Sequence, residues 1–180
     1  MLLLDNLYNS WKNKTRSRIN WKMAGDMPSR MDWLVEKFSG LDTITEFGHY
    51  QGCSTAAWLK CKPKNLITID IGLHLDQKEY QKIAEENGIS FQCIIASSVE
   101  IDIEPTDLLF IDTMHTKEHT YLELKKNSNK VKKYLAFHDV NPKRFGTQEG
   151  IDQWLIEEDI KWKTLYHDVE DCGFLVLEKD

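Results

Sequence analysis

Acidic, hydroxyl and imidazole side chains recur in this 180-residue chain just after short apolar runs. The first such place is Ile44-Thr45-Glu46-Phe47-Gly48-His49-Tyr50-Gln51-Gly52-Cys53-Ser54-Thr55. Glu46 precedes two glycines spaced Gly-x-x-x-Gly, and the hydroxyls of Ser54 and Thr55 follow. Glycines let backbone come close to a ligand, and the open N–H groups of a helix start attract a carboxylate or phosphate. The spacing is not the Gly-x-Gly-x-x-Gly dinucleotide fingerprint, which argues against a nicotinamide-dependent oxidoreductase. The run Leu66-Ile67-Thr68-Ile69 ends on Asp70. A single carboxylate there can accept from both hydroxyls of a ribose diol. Three further runs deliver Ser97 and Ser98, then Asp112 and His115, then His138, Asp139 and Asn141.

Each of these residues also has a plain structural reading. Asp70 could cap a turn, Ser97 and Ser98 could be turn residues, and Asp112 could be an N-cap. His115 could be a structural histidine, and His138-Asp139 a polar loop start. Their joint occurrence after successive apolar runs is what packing alone does not explain. His115 and His119 stand at i, i+4, but Glu118 is misplaced for His-Glu-x-x-His, so a zinc hydrolase is not expected.

The elements that must position these residues alternate. Strands are expected at Thr43 to Phe47, Asn65 to Ile71, Phe91 to Ala96, Asp107 to Asp112 and Tyr134 to His138. Helices are expected at Ser54 to Lys60, Asp76 to Asn87, Thr116 to Asn127 and Gln148 to Glu158. The second strand is rich in β-branched residues and reads as buried, with Leu66, Ile67, Ile69 and Ile71. An earlier helix starts near Pro28, with Ser29 as N-cap and Met31, Leu34, Val35 and Phe38 at helical spacing. Lys161 to His167 and Gly173 to Glu178 read as a closing antiparallel pair turned at Glu170-Asp171-Cys172. Strands alternating with helices give βαβ units and a parallel sheet, with ligands beyond the strand carboxyl ends. Residues 1–28 show no clean period and read as an N-terminal arm or lid, containing Tyr8, Trp11 and Trp21. Residues 29–180 read as one domain.

Hydrophobic residues make up 41% of the chain and the net charge is −6. That composition suits a globular core and excludes a disordered chain. The acidic balance argues against general nucleic-acid binding. The lysines at 125, 126, 130, 132 and 133 read as a solvated face. Met1-Leu2-Leu3-Leu4 meets Asp5 too soon for a secretion signal, and no run is long enough to span a bilayer. The four cysteines lack Cys-x-x-Cys spacing, so a reducing, cytoplasmic setting with free thiols is expected.

The first motif, in the form Glu-x-Gly-x-x-x-Gly-x-Ser, resembles that of class I S-adenosylmethionine-dependent methyltransferases. Phe110-Ile111-Asp112-Thr113-Met114-His115 is similar to the Phe-Ile-Asp-x-x-His stretch of their O-methyltransferase-like branch. Tyr134-Leu135-Ala136-Phe137-His138-Asp139 looks like that branch's next strand. The resemblance covers roughly residues 29–178, and the relatives in view are cephalosporin-hydroxylase-like and macrolide or sugar O-methyltransferases.

It implies an α/β, Rossmann-like, doubly wound sheet, mostly parallel with an antiparallel C-terminal pair. It implies S-adenosylmethionine as cofactor, with Glu46, Gly48, Gly52 and Ser54 at its methionine part and Asp70 at its ribose. Ser97 and Ser98, with Asp112, would border the rest of the cofactor. The chain has Ala96-Ser97-Ser98 where many members have Gly-Asp-Ser, which removes an acceptor for the adenine amine. The implied reaction is methyl transfer to a hydroxyl of a small molecule or glycan, with Asp112, His115 and His138 catalytic. A histidine as base, or a divalent cation such as Mg²⁺ on Asp112, His138 and Asp139, are both open routes to the acceptor's proton. A non-catalytic protein of the same fold is the alternative, and a homo-oligomer stays open. Residues 1–30 and 139–148 are the expected acceptor walls.

Overall fold

The computed structural model describes residues 2–13, 26–158 and 161–180. Trp21 and the basic residues Lys14, Arg16 and Arg18 lie outside them. The chain divides into two compact units, Met1–Ile95 and Ala96–Asp180.

The first unit holds helices α1 (Leu2–Lys12), α2 (Met27–Phe38), α3 (Cys53–Cys61) and α4 (Gln77–Glu86) and strands β1 (Thr43–Phe47), β2 (Asn65–Asp70) and β3 (Ser90–Ile95). The strands run parallel in the order β3-β2-β1. In register, Phe47 faces Ile69 and Asp70 faces Ile95, so the strands finish together and their loops open on one edge.

Within the expected N-terminal arm, Leu2–Lys12 form helix α1, with a helical period that the sequence reading did not find. Leu4, Leu7, Tyr8 and Trp11 are buried at helical spacing, and the Tyr8 hydroxyl donates to Asp32 of α2. Lys60 of α3 pairs with Asp5. In α2 the cap is Asp26 rather than Ser29. Pro28 fits the first turn, where its missing N–H costs nothing, and Ser29 donates back to the Asp26 carbonyl. Strand β2 stops one residue earlier than its apolar run suggests. Ile71 has left the sheet and is 74% exposed. Asp76, not part of the helix body, caps α4 by accepting from the Glu79 N–H. Tyr80, Ile83 and Ala84 of α4 face inward as their spacing requires.

The second unit holds β4 (Thr106–Ile111), α5 (Lys117–Asn127), β5 (Val131–His138), α6 (Thr147–Glu157), β6 (Trp162–Asp168) and β7 (Phe174–Lys179). Strands β4 and β5 are parallel. Strand β7 runs antiparallel to β5, and β6 antiparallel to β7. Every residue of β4 is buried, which explains its unbroken apolar run. Thr116 caps α5 through the His119 N–H. Helix α6 packs on α5 at Gly150, where a Cβ would meet the Lys117 carbonyl at 2.5 Å. The lysine-rich stretch is not a free basic patch: Lys125, Lys130 and Lys133 pair with Glu157, Asp102 and Asp107.

The seven strands, mostly parallel with an antiparallel C-terminal pair and flanked by helices, make this a Rossmann-like α/β fold. The four cysteines are free thiols. No described helix is long and apolar enough to cross a membrane.

Candidate active site

In the first unit the chain leaves β1 through a tight turn. Gly48 (φ 83°), Tyr50 (φ 41°) and Gly52 (φ 93°) all have left-handed backbone. The Gly48 N–H donates to the Ile69 carbonyl at 2.8 Å, and the Gly52 N–H to that of His49 at 2.7 Å. Position 52 is restricted twice. Its φ disfavours any side chain, and a Cβ there would lie 2.4 Å from the Tyr80 hydroxyl. That hydroxyl donates to the Gly52 carbonyl at 2.9 Å and accepts from Trp11 Nε1 at 3.0 Å. Helices α1 and α4 therefore hold the turn from outside. Gly52 is also the N-cap of α3, and no side chain caps that helix start.

Glu46 is fully buried, and its Oε2 accepts from the Thr55 hydroxyl at 2.6 Å. Ser54 is also buried. Of the two hydroxyls after Gly52, it is thus Thr55 that ties β1 to α3. Asp70 ends β2 half-buried. Its Oδ2 accepts from the Tyr50 N–H at 3.0 Å and its Oδ1 from the Gly72 N–H at 3.2 Å. Each oxygen keeps a second lone pair. These two bonds tie the end of β2 to the turn after β1. Burial holds the His49 imidazole below its usual pKa, although the Asp70 carboxylate pulls the other way. The side chains beside Asp70 are apolar and uncovered: Ile71, Leu73 and Tyr50 are all exposed.

In the second unit, β4 and β5 deliver a cluster of opposite charges. His115 Nε2 lies 3.0 Å from Asp112 Oδ1 and 2.9 Å from Asp139 Oδ2. His138 Nδ1 lies 3.3 Å from Asp112 Oδ2 and 3.5 Å from Asp139 Oδ2. His115 (φ 54°) and Asp139 (φ 56°) both hold left-handed backbone to make this contact. Burial disfavours the His115 imidazolium, but hydrogen bonds to the two carboxylates outweigh it and raise its pKa to about 9. Both carboxyls are held below the usual range: burial opposes this, and the two imidazoles overcome it. Phe145 stands edge-on to the His115 ring at 5.4 Å. Asp112, His138 and Asp139 each offer a ligand atom, all within 4.8 Å of one another. Two carboxylates and an imidazole suit a borderline transition metal better than Mg²⁺, which prefers oxygen.

The serines after β3 differ from each other. The Ser97 carbonyl accepts from the N–H groups of Glu100 and Ile101 and closes a turn. Ser98 is buried and donates to Glu123 Oε1 at 2.5 Å. Thr113 donates to the same oxygen at 2.8 Å, and His119 Nε2 stands 3.2 Å from it. Glu123, fully buried on α5, thus gathers the segments after β3 and β4. Sequence reasoning missed it, because an acid in a charged helix reads as solvated. Its one signal is position: Thr120, Glu123, Leu124 and Asn127 share one buried face.

No protein-family model matches the sequence, and no curated protein matches it. Solved structures do match the fold. An O-methyltransferase from Bacillus cereus in complex with SAH aligns with 100% of this chain and 91% of its own, with a TM-score of 0.62 and 14% identity. A ribosomal protein L11 methylase from Lactobacillus delbrueckii subsp. bulgaricus covers 86% of this chain and 79% of its own, with a TM-score of 0.65 and 15% identity. An rRNA methylase from Streptococcus thermophilus covers 85% and 95%, with a TM-score of 0.56 and 14% identity. The fold is thus one that S-adenosylmethionine-dependent methyltransferases share. Their named acceptors differ, so the fold does not choose the acceptor.

Proposed function

We propose that this chain is an S-adenosylmethionine-dependent methyltransferase acting on a hydroxyl of a small molecule or sugar. The observation that carries the reading is Asp70. Two backbone N–H groups fix its carboxylate against the left-handed turn, its outer lone pairs take no further hydrogen bond from the described residues, and an exposed apolar side chain follows it. That combination suits a ribose diol with a flat base beside it.

In this reading Gly48 and Gly52 give the close backbone approach that the methionine part needs. The uncapped start of α3 meets its carboxylate. Glu46 and Ser54, both buried, shape that turn from within. Asp70 accepts from the ribose hydroxyls, and Ile71 offers an apolar face to the base. The family resemblance assigns Ser97, Ser98 and Asp112 to the remainder of the cofactor; within the second unit Ser98 is held by Glu123.

The cofactor supplies an electrophilic methyl group on a sulfonium. The protein's share is position and proton management. His115 keeps its proton at neutral pH, so it favours a developing negative charge on the acceptor oxygen and does not take a proton there. In this reading the hydroxyl proton passes to the neutral form of His138, which stands beside Asp112. A divalent cation on Asp112, His138 and Asp139 is the second reading, supported by their close ligand atoms. It ranks second because the His115 imidazolium already supplies positive charge to the same two carboxylates. Turnover unchanged by chelator, and unchanged by added Mn²⁺ or Mg²⁺, supports the metal-free route.

Calorimetric titration of S-adenosylhomocysteine tests the main reading. Binding in the micromolar range is expected, with a loss of about ten-fold or more in Asp70→Ala, or about 1.4 kcal/mol. No binding at high micromolar concentration, or equal binding by the variant, contradicts it. Binding without turnover over a panel of hydroxyl acceptors would make the chain a non-catalytic protein of this fold.

A further inference from the structure

The first unit contains a cavity of about 500 Å³ between α1 and the first turn of α4. Its volume lies in the range of small-molecule sites. One wall is apolar: Leu7 and Trp11 of α1 with Leu75 and Tyr80. The polar atoms of Trp11 and Tyr80 are engaged with each other and with the Gly52 carbonyl. What these two residues can offer a ligand is carbon surface.

The rest of the lining is mostly polar, and its permanently charged side chains are acidic. Asp76 and Glu79 line it, with His74, Gln51 and Asn6, and no lysine or arginine does so among the described residues. The start of α4 would attract an anion, but the Asp76 cap and Glu79 in the first turn already answer it. The Glu79 carboxylate and the side-chain amides of Gln51 and Asn6 make no hydrogen bond to any described residue. Among the described residues an anion placed here would meet two carboxylates, with the His74 imidazole as the one group able to take a positive charge.

We propose that this cavity binds a small organic cation, an ammonium group carried on an aromatic or alicyclic body. The ammonium lies against Glu79 and Asp76, with Gln51 and Asn6 completing its hydrogen bonds. The body lies on Leu7 and Leu75, beside Trp11. The site stands whether or not the chain transfers methyl groups.

Three probes of one shape and three charges test it: tyramine, tyrosol and 4-hydroxyphenylacetate, titrated into the full chain at pH 7. Tyramine should bind about ten-fold tighter than tyrosol, and 4-hydroxyphenylacetate should not bind detectably. Glu79→Gln, at an exposed position that leaves the fold alone, should bring tyramine to the level of tyrosol and leave tyrosol unchanged. Trp11→Leu should weaken both, with its thermal unfolding followed alongside. No tyramine binding, equal affinities for the three probes, or unchanged tyramine affinity in Glu79→Gln would overturn the proposal. Tyramine binding in protein that does not take S-adenosylhomocysteine keeps this site and sinks the cofactor reading, and the reverse result does the opposite.

Discussion

The turn after β1 and the cluster after β4 and β5 are both strand-end sites, yet different forces hold them. The turn is built from backbone shape and from neutral donors: three left-handed residues, a tyrosine hydroxyl on a glycine carbonyl, a threonine on a buried glutamate. The cluster is built from charge: an imidazolium within hydrogen-bonding distance of two carboxylates. Shape tolerates pH and does not tolerate volume. Charge tolerates modest changes of shape and does not tolerate pH. A site that must grip one constant molecule suits the first, and a site that must manage a proton suits the second.

Gly52→Ala should produce the largest effect. The left-handed backbone costs about 1–2 kcal/mol and the overlap with Tyr80 a similar amount, so about 3 kcal/mol of stability should be lost in urea unfolding. Gly40→Ala is the control, because Gly40 shares the left-handed φ but has open space around it. It should cost about 1 kcal/mol. Equal losses at the two positions would show that the Tyr80 contact does not confine the turn.

Thr55→Val keeps the shape and removes the donor to Glu46. It should cost about 2 kcal/mol, since a buried carboxylate loses a hydrogen bond, and this loss should be the same from pH 6 to 9. A loss confined to one end of that range would mean that the turn, too, depends on charge.

His115 supplies the opposite case. Its folded pKa of about 9 stands above the ordinary 6.5. The stability it contributes is therefore complete below pH 6.5 and is lost as pH rises through 9. With the ring about one-third exposed, a decline of about 1 kcal/mol across that window is expected. His115→Gln should flatten the decline. Asp112 and Asp139, whose pKa values are lowered, act on the other side: their contribution is present above the usual carboxylate range and disappears as pH falls below it. The smallest effect belongs to Lys125→Ala. Its pairing with Glu157 is exposed, and the melting temperature should not change measurably.

The sheet was legible in the sequence wherever one face or both faces of a strand are buried. The fully buried β4 reads directly from Leu108-Leu109-Phe110-Ile111. Ile71 misled because an apolar run does not say where the sheet ends; the tie between Asp70 and the Gly72 N–H turns the chain there. Helix α1 was readable in principle, since Leu4, Leu7, Tyr8 and Trp11 keep helical spacing, but Asp5, Asn6, Asn9 and Ser10 between them masked the stripe. The glycine turn was legible as a turn, and its confinement was not. Tyr80 reaches Gly52 from 28 positions away, and the Trp11–Tyr80 bond that holds it spans 69 residues. Glu123 and the raised pKa of His115 were hidden for the same reason: each arises from partners that only the fold brings near.

The central claim is that Asp70 and the Gly48–Gly52 turn hold the nucleoside and amino-acid ends of one cofactor. A crystal structure of the chain grown with S-adenosylhomocysteine tests it most directly. The account predicts density at the start of α3, with both ribose hydroxyls within hydrogen-bonding distance of the Asp70 carboxylate. Density elsewhere, or an Asp70 carboxylate turned away from the ribose, would contradict it.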